Sequence, residues 1–181
     1  MNATELAIPG VFVLEPKVFE DERGFFYESF NANVFEQLTG RSTDFVQDNH
    51  SRSSRGVLRG LHFQLAPKAQ AKLVRVVQGE IFDVAVDVRP ESKTFGRWVS
   101  QTLSAENKKQ MWIPEGFAHG FLTMSETAEV LYKTNGLYAP EFERCVLWND
   151  TSIGIDWPMT EGLVISEKDR VGQALSDCQL V

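Results

Sequence analysis

The sequence predicts an all-β domain of sandwich or barrel type, with the jelly roll as the leading architecture and only a few short helices. Three observations carry this prediction. Period-two alternation dominates the chain, as in Phe82, Val84, Val86 and Val88 set against Asp83, Ala85 and Asp87. Short apolar runs recur at regular intervals, separated by segments carrying Gly, Pro, Asn or Asp, such as Arg89-Pro90-Glu91-Ser92 and Pro114-Glu115-Gly116. Helical periodicity is scarce.

Taken in order, strand-like runs cover Gly10 to Leu14 and Gly24 to Phe30. Asn31 to Leu38 then suits one short helix, with Asn31 to cap its start and Gly40 just beyond its end. The run GVLRGLHFQL, Gly56 to Leu65, resumes the strand pattern. Leu73 to Val88 holds two strands, and Gly79-Glu80 between them reads as a hairpin turn. Further strands are expected at Trp98 to Leu103, Lys109 to Ile113, His119 to Met124, Glu129 to Thr134 and Val146 to Trp148. Ser166 to Cys178 has room for a helical turn or two. There is no repeat or Pro/Ser-rich linker, so 1–181 reads as a single domain that buries roughly 70 % of its unfolded surface.

Composition excludes several classes. With 18 basic and 25 acidic side chains the net charge is −7, which disfavours nucleic-acid polymers and anionic membranes as partners. The aromatic content (Phe 13, Trp 4, Tyr 3) excludes disorder. The opening MNATELAIPG lacks the basic and apolar regions of a secretory signal. No uncharged apolar run approaches the ~18 residues of a membrane span. Cys145 and Cys178 lack metal-ligand spacing, so a cytoplasmic protein with reduced thiols is expected.

A jelly-roll barrel encloses a small-ligand cavity, which makes its interior the expected site. His62 lies in VLRGLHFQL on the alternation face of Leu58, Gly60 and Gln64. It reads either as a hydrogen-bonded core histidine or as a general base, a task suited to the ordinary histidine pKa of about 6.5. His119, in IPEGFAHGF, is a second polar liner, and His50 follows Gln47-Asp48-Asn49, a cluster suited to capping a loop. The three histidines are separated by 12 and 57 residues without a His-x-His pair, so a bound metal is not expected.

Lys72 begins an apolar strand, where it either snorkels to the surface or meets an oxyanion inside. Tyr132 is a packing aromatic or a proton donor. Asp169 sits in Ser166-x-x-Asp169, which also fits a helix cap. Strict alternation puts Arg59 and His62 on opposite faces, so a shared cavity requires a bulge, for which Gly60 is the natural place. Arg23, Arg59, Lys72 and Lys168 are the candidate cations, and Glu28 shares the FEDERGFFYESF segment with Arg23.

Through a series of ordered segments the chain resembles the dTDP-4-dehydrorhamnose 3,5-epimerase family. The resemblance runs through FEDERGFFYESF, FVQDNHSRS, GVLRGLHFQ, AQAKLVRVVQGEIFDVAVDVR, IPEGFAHGF, YKTN, WND and SEKD in order, nearly the whole chain. It departs at Phe63, where tyrosine is common, and at Ala71, where glycine is common. The resemblance implies a cupin-type jelly-roll barrel, usually a homodimer, using no cofactor and acting on dTDP-4-dehydro-6-deoxyglucose. It implies His62 as base with Asp169 as its dyad partner, Tyr132 as acid on the opposite sugar face, and Lys72 beside the C4 oxygen. Arg23, Glu28, Gln47, Asp48, Asn49, Arg59, His119, Glu143 and Lys168 resemble substrate-binding positions, and Tyr138 resembles a residue that stacks on thymine.

The chemistry asks for these residue types. A 4-keto group acidifies the C3 and C5 hydrogens, because the carbanion delocalises onto oxygen. A base on one face, an acid on the other and an ammonium at the enolate oxygen then invert each carbon. The alternatives are a single-carbon epimerase or keto-isomerase on a related dTDP sugar, a carbohydrate- or nucleotide-binding barrel without turnover, and a metal-dependent barrel enzyme.

Overall fold

The computed structural model describes residues 1–42 and 44–180. Among these, fourteen strands and two short helices follow the chain: β1 (Asn2–Glu5), β2 (Phe12–Glu15), β3 (Phe19–Asp21), β4 (Gly24–Phe26), α1 (Ala32–Thr39), β5 (Gln47–Ser54), β6 (Val57–Gln64) and β7 (Lys72–Gln78). Then come β8 (Glu80–Asp87), β9 (Trp98–Ser104), β10 (Gln110–Ile113), β11 (Phe117–Thr123), β12 (Thr127–Thr134), a 3-10 turn (Pro140–Phe142), β13 (Glu143–Cys145), β14 (Val164–Ile165) and α2 (Glu167–Arg170).

Two sheets form a barrel-like sandwich. The first runs β1-β2-β10-β7-β12-β5 and the second β13-β6-β11-β8-β9, with β14 added in parallel to β6. The mainly β, barrel-type fold expected from the alternation is present. Between the sheets, Val74, Val76, Ile81, Ala85, Leu103, Met111, Phe117 and Phe121 fill one end with apolar side chains. Two further apolar layers lie on the outside. Phe82, Val84 and Val86 of β8, and Val88 just beyond it, pack under the C-terminal segment with Trp157, Leu175 and Cys178. On the first sheet, Leu73 and Trp112 are covered by Phe35 of α1, whose ring meets Trp112 edge-on at 4.9 Å. Helix α1 is capped as its sequence requires: Asn31 Oδ1 accepts the Val34 N–H at 3.2 Å, and Gly40 ends it in the left-handed region.

Several expected elements shift. Gly79 is not an in-sheet hairpin turn, because β7 belongs to the first sheet and β8 to the second. With φ at +73° and a Cβ position 2.0 Å from Thr127 O, Gly79 is a tight corner where the chain changes sheets. The run from Gly24 to Phe30 pairs only as far as Phe26. The strand placed at Val146 to Trp148 is instead Glu143–Cys145, which pairs with β6. Strand β5, QDNHSRSS, escaped the alternation pattern entirely. Gln47, Asn49, Ser51 and Ser53 are its more buried positions, so both of its faces are polar and no apolar period exists to detect.

The bulge expected at Gly60 is present. His119 pairs with His62 and Phe121 with Arg59, so three steps on β6 match two on β11. Leu58 consequently leaves the face of His62 and joins Leu61, Phe63 and Leu65 in the outer layer, contrary to strict alternation. Arg59 and His62 both turn inward. Gly60 has φ at +126°, and a Cβ there would stand 2.5 Å from Gly120 Cα. Gly60→Ala is therefore expected to destabilise the fold by at least about 1–3 kcal/mol from backbone strain alone. Urea unfolding measures this, and an unchanged midpoint with unchanged activity would show that the bulge tolerates a side chain.

Candidate active site

Polar side chains of both sheets line one part of the interior. There, two adjoining lobes of about 310 and 320 Å³ share His62, Lys72 and Tyr132. His62 reaches the cavity from β6. Its Nε2–H donates to Asp169 Oδ1 at 2.6 Å, which leaves Nδ1 with the free lone pair. Asp169, only 3 % exposed, comes from α2. Ser166 caps that helix by accepting the Asp169 N–H at 3.2 Å, so the expected cap exists. The Asp169 carboxylate does something else: its second oxygen accepts the Gly60 N–H at 3.3 Å. Burial opposes ionisation of Asp169, but the His62 hydrogen bond and charge, with the Gly60 N–H, outweigh it and hold the carboxyl below its usual value.

Lys72 enters from the first strand position of β7 and does not snorkel: it is 8 % exposed. Its ammonium donates to the His62 carbonyl at 3.2 Å. Burial lowers its pKa to about 8, with the charges of Asp83 and Glu143 opposing the fall. Tyr132 projects from β12, and burial raises its pKa while nearby Arg59 lowers it. His119, buried, donates through Nε2 to Asp83 Oδ1 at 2.7 Å. Burial pushes His119 towards the neutral form, against the attraction of Asp83.

The other expected residues divide. Arg59, anchored by its Nε–H to Ser53 Oγ at 3.1 Å, and Lys168 line the lobe holding Asp169. Gln47 and Asn49 line the other lobe and bond to each other at 2.9 Å. These residues are strand, not the loop cap suggested by their composition, and His50 is an exposed partner of Glu129 at 2.9 Å. At the rim, Glu143 accepts from the Tyr138 hydroxyl at 2.7 Å and pairs with Lys168. Asp48 lies outside the cavity lining, paired with Lys133 at 2.8 Å. Arg23 and Glu28 also lie outside it. Arg23 is on the exposed β3–β4 hairpin, paired with Asp21, and Glu28 accepts from Asn31 Nδ2 at 3.2 Å. Net charge −7 thus coexists with three cavity cations, Arg59, Lys72 and Lys168.

Liners beyond those expected include Ser51, Phe121 and Gln70, and Asp83, the buried partner of His119, was missed as well. Ser51 belongs to the unrecognised β5. Asp83 is fully buried, and its Oδ2 has no hydrogen-bond partner. The available signal was an acid on the inward period of IFDVAVDV, a costly placement unless a buried cation or imidazole meets it.

A histidine–carboxylate pair, a tyrosine and a buried ammonium converge on one cavity inside a β-barrel, an arrangement suited to proton transfer at a carbon acid and so to an isomerase or epimerase in class. Comparison with known proteins specifies it further. The family model described as dTDP-4-dehydrorhamnose 3,5-epimerase matches residues 5–177. The chain is 61 % identical over 177 residues to the dTDP-4-dehydrorhamnose 3,5-epimerase of Pseudomonas aeruginosa, covering 98 % of this chain and 97 % of that one. The crystal structure of a dTDP-6-deoxy-D-glucose-3,5-epimerase from Legionella pneumophila in complex with dTDP-4-keto-L-rhamnose superposes with a TM-score of 0.94 at 50 % identity, covering 97 % and 93 %. A 3'-monoepimerase from Streptomyces bikiniensis in complex with dTDP-quinovose gives 0.90 at 35 % identity, covering 97 % and 88 %. The chain belongs to the dTDP-4-dehydrorhamnose 3,5-epimerase family.

The charge of Asp83 raises the Lys72 pKa. Asp83→Asn is therefore expected to lower it below about 8, read by ¹⁵N NMR titration of the lysine amine. An unchanged titration would show that Asp83 does not act on Lys72.

Proposed function

We propose that this chain is a dTDP-4-dehydrorhamnose 3,5-epimerase, inverting C3 and C5 of dTDP-4-dehydro-6-deoxyglucose to give dTDP-4-dehydro-L-rhamnose. The observation that carries the reading is the 2.6 Å His62–Asp169 dyad facing a cavity that also holds Lys72 and Tyr132. Neutral His62 takes the C–H proton adjacent to the ketone. Asp169 holds the tautomer and stabilises the imidazolium, and such general-base catalysis contributes typically ~10²–10⁴-fold. The electron pair moves onto the C4 oxygen, where the Lys72 ammonium meets the charge that develops. Tyr132, protonated because burial holds its pKa up, returns a proton from the opposite face. None of these residues' roles calls on a nicotinamide or a metal.

Supporting the substrate class, Arg59 and Lys168 flank the dyad as guanidinium and ammonium partners for a diphosphate. Tyr138, half exposed at the rim, is placed to stack on the thymine, with Gln47, Asn49 and Glu143 beside it. His119, locked by Asp83, presents its remaining ring nitrogen to the sugar. The reading also makes the chain a homodimer, a single cytoplasmic domain over 1–181 without nucleic-acid or membrane partners. None of the described helices is long and apolar enough to cross a membrane. Arg23 and Glu28 stand outside their own cavity, so in this reading they meet substrate in the cavity of a second copy, Arg23 from the β3–β4 hairpin and Glu28 from the segment that follows it. Phe25 and Phe26, 61 % and 71 % exposed, supply the apolar surface such a contact covers.

The founding test is solvent deuterium incorporation at C3 and C5 of the 4-keto sugar, followed by NMR. Exchange at both carbons is expected. Exchange at one carbon alone would select the single-carbon epimerase, the reading favoured by the Streptomyces bikiniensis relative. His62→Ala is expected to cut exchange by ~10²–10⁴-fold while dTDP still binds; retained activity would remove His62 from the base role.

The Lys72 ammonium is charged below its pKa of about 8 and neutral above it. Turnover by the wild-type enzyme is therefore expected to fall as pH rises through about 8, and a flat profile to pH 10 would remove Lys72 from the oxyanion role. For assembly, light scattering is expected to show a dimer, and Arg23→Ala to raise KM with kcat little changed. A monomer at working concentration would overturn the shared site.

A further inference from the structure

Asp169 has a third neighbour besides His62 and Gly60. Cys145, the last residue of β13, pairs directly across from His62 on β6, so both side chains leave the sheet on one face. Its sulfur stands 4.0 Å from Asp169 Oδ1, and the donor atoms of His62, Cys145 and Asp169 all lie within 4.8 Å of one another. The proton-transfer mechanism has no use for the thiol. Its other contact, the Val146 carbonyl at 3.8 Å, is a weak one. An imidazole nitrogen, a thiol sulfur and a carboxylate oxygen are, however, the donor set of a borderline-soft divalent cation.

We propose that His62, Cys145 and Asp169 form an inhibitory site for a thiophilic divalent cation, with Zn²⁺ as its type, and that occupancy switches the catalytic dyad off. Tetrahedral zinc with bonds of ~2.0–2.3 Å sets its ligand atoms ~3.3–3.7 Å apart. The 2.6 Å His62–Asp169 contact has to open, while the 4.0 Å Cys145–Asp169 contact and the wider separations of up to 4.8 Å within the triad have to close. The cavity lobe beside Asp169 leaves room for water as the fourth ligand.

The protons balance. Cys145 loses its S–H proton to solvent as the sulfur–metal bond forms, and the cation takes the place of that proton next to the Asp169 charge. The metal takes the Nε2 lone pair, so the ring proton moves to Nδ1. Nδ1 then has no lone pair for the substrate, and Asp169 is bound to the metal instead of to His62. The same arrangement that makes a base therefore makes a trap. Lys72 and Lys168 oppose a cation electrostatically, and Asp169, Asp83 and Glu143 favour it. Hard Mg²⁺, which prefers oxygen ligands, is not held.

The inhibition rests on His62 being the base, whereas the binding does not, so the test reads both. Whole protein in a non-chelating reductant is titrated with Co²⁺, following the sulfur-to-cobalt charge-transfer absorption, and in parallel with Zn²⁺, following turnover. Wild type is expected to give the charge-transfer band, to lose at least about tenfold in activity near one equivalent of Zn²⁺, to recover with EDTA, and to ignore Mg²⁺. Cys145→Ser and Cys145→Ala are expected to keep basal turnover, lose the band and need about tenfold more Zn²⁺ for half-inhibition. Cys178→Ser and His50→Gln, which remove the other thiol and the exposed imidazole, are expected to behave as wild type.

The proposal is overturned if no band forms, if the band follows Cys178, or if the Cys145 variants are inhibited at the wild-type Zn²⁺ concentration. A band that depends on Cys145 while turnover stays unimpaired would uphold the metal site and overturn the dyad as the base.

Discussion

One carboxylate organises the site. Asp169 holds His62 through one oxygen and the Gly60 N–H through the other, so the same buried group orients the imidazole and pins the bulge that turns it inward. The bulge in turn brings Arg59 onto the face of His62. Asp169 is delivered by a helix of one turn, whose start is set by the Ser166 cap. Residues 107 apart in sequence thereby become a single unit, and the C-terminal segment supplies a cavity residue as well as packing over the outer face of the second sheet.

The rest of the cavity follows from where the apolar layers lie. Phe82, Val84, Val86 and Val88 face outward beneath the C-terminal segment, which leaves Asp83 and Asp87 facing inward. The two acids meet burial differently. Asp87 accepts from Arg89, Ser92 and Thr94; burial raises its pKa, but these donors outweigh it and hold the carboxyl at about 2. It is a structural knot. Asp83 satisfies one oxygen with His119 and leaves the other without a hydrogen bond, near the buried ammonium of Lys72. An incompletely paired acid beside an incompletely paired cation is costly to folding and useful to an enzyme that must receive new charge. The acidic net charge of the chain describes its surface, while local charge describes the pocket.

Much of this was legible in the residues. Alternation identified most strands and the all-β class, Asn31 and Gly40 bounded the first helix, and the conflict between Arg59 and His62 pointed to the bulge at Gly60. Strand β5 was not legible because its inward face lines a polar cavity, so polar residues occur at the very positions where apolar ones would reveal a strand. The role of Gly79 was misread because a hairpin and a sheet-to-sheet corner place the same demand on one glycine. Cys145 carried no signal, since a lone thiol acquires meaning only from what stands beside it.

The sequence by itself determined the fold class, the types of reactive group and, through ordered motifs, the family, because local propensity and motif spacing act along the chain. Tertiary structure alone decided which groups meet. It placed Asp169 on His62, buried Lys72 within the field of Asp83, brought Cys145 to the dyad, and kept Arg23 and Glu28 out of their own cavity. The physical reason is that these interactions depend on distance and dielectric. Both are set by the way two sheets, a bulge and a covering C-terminal segment close on one another.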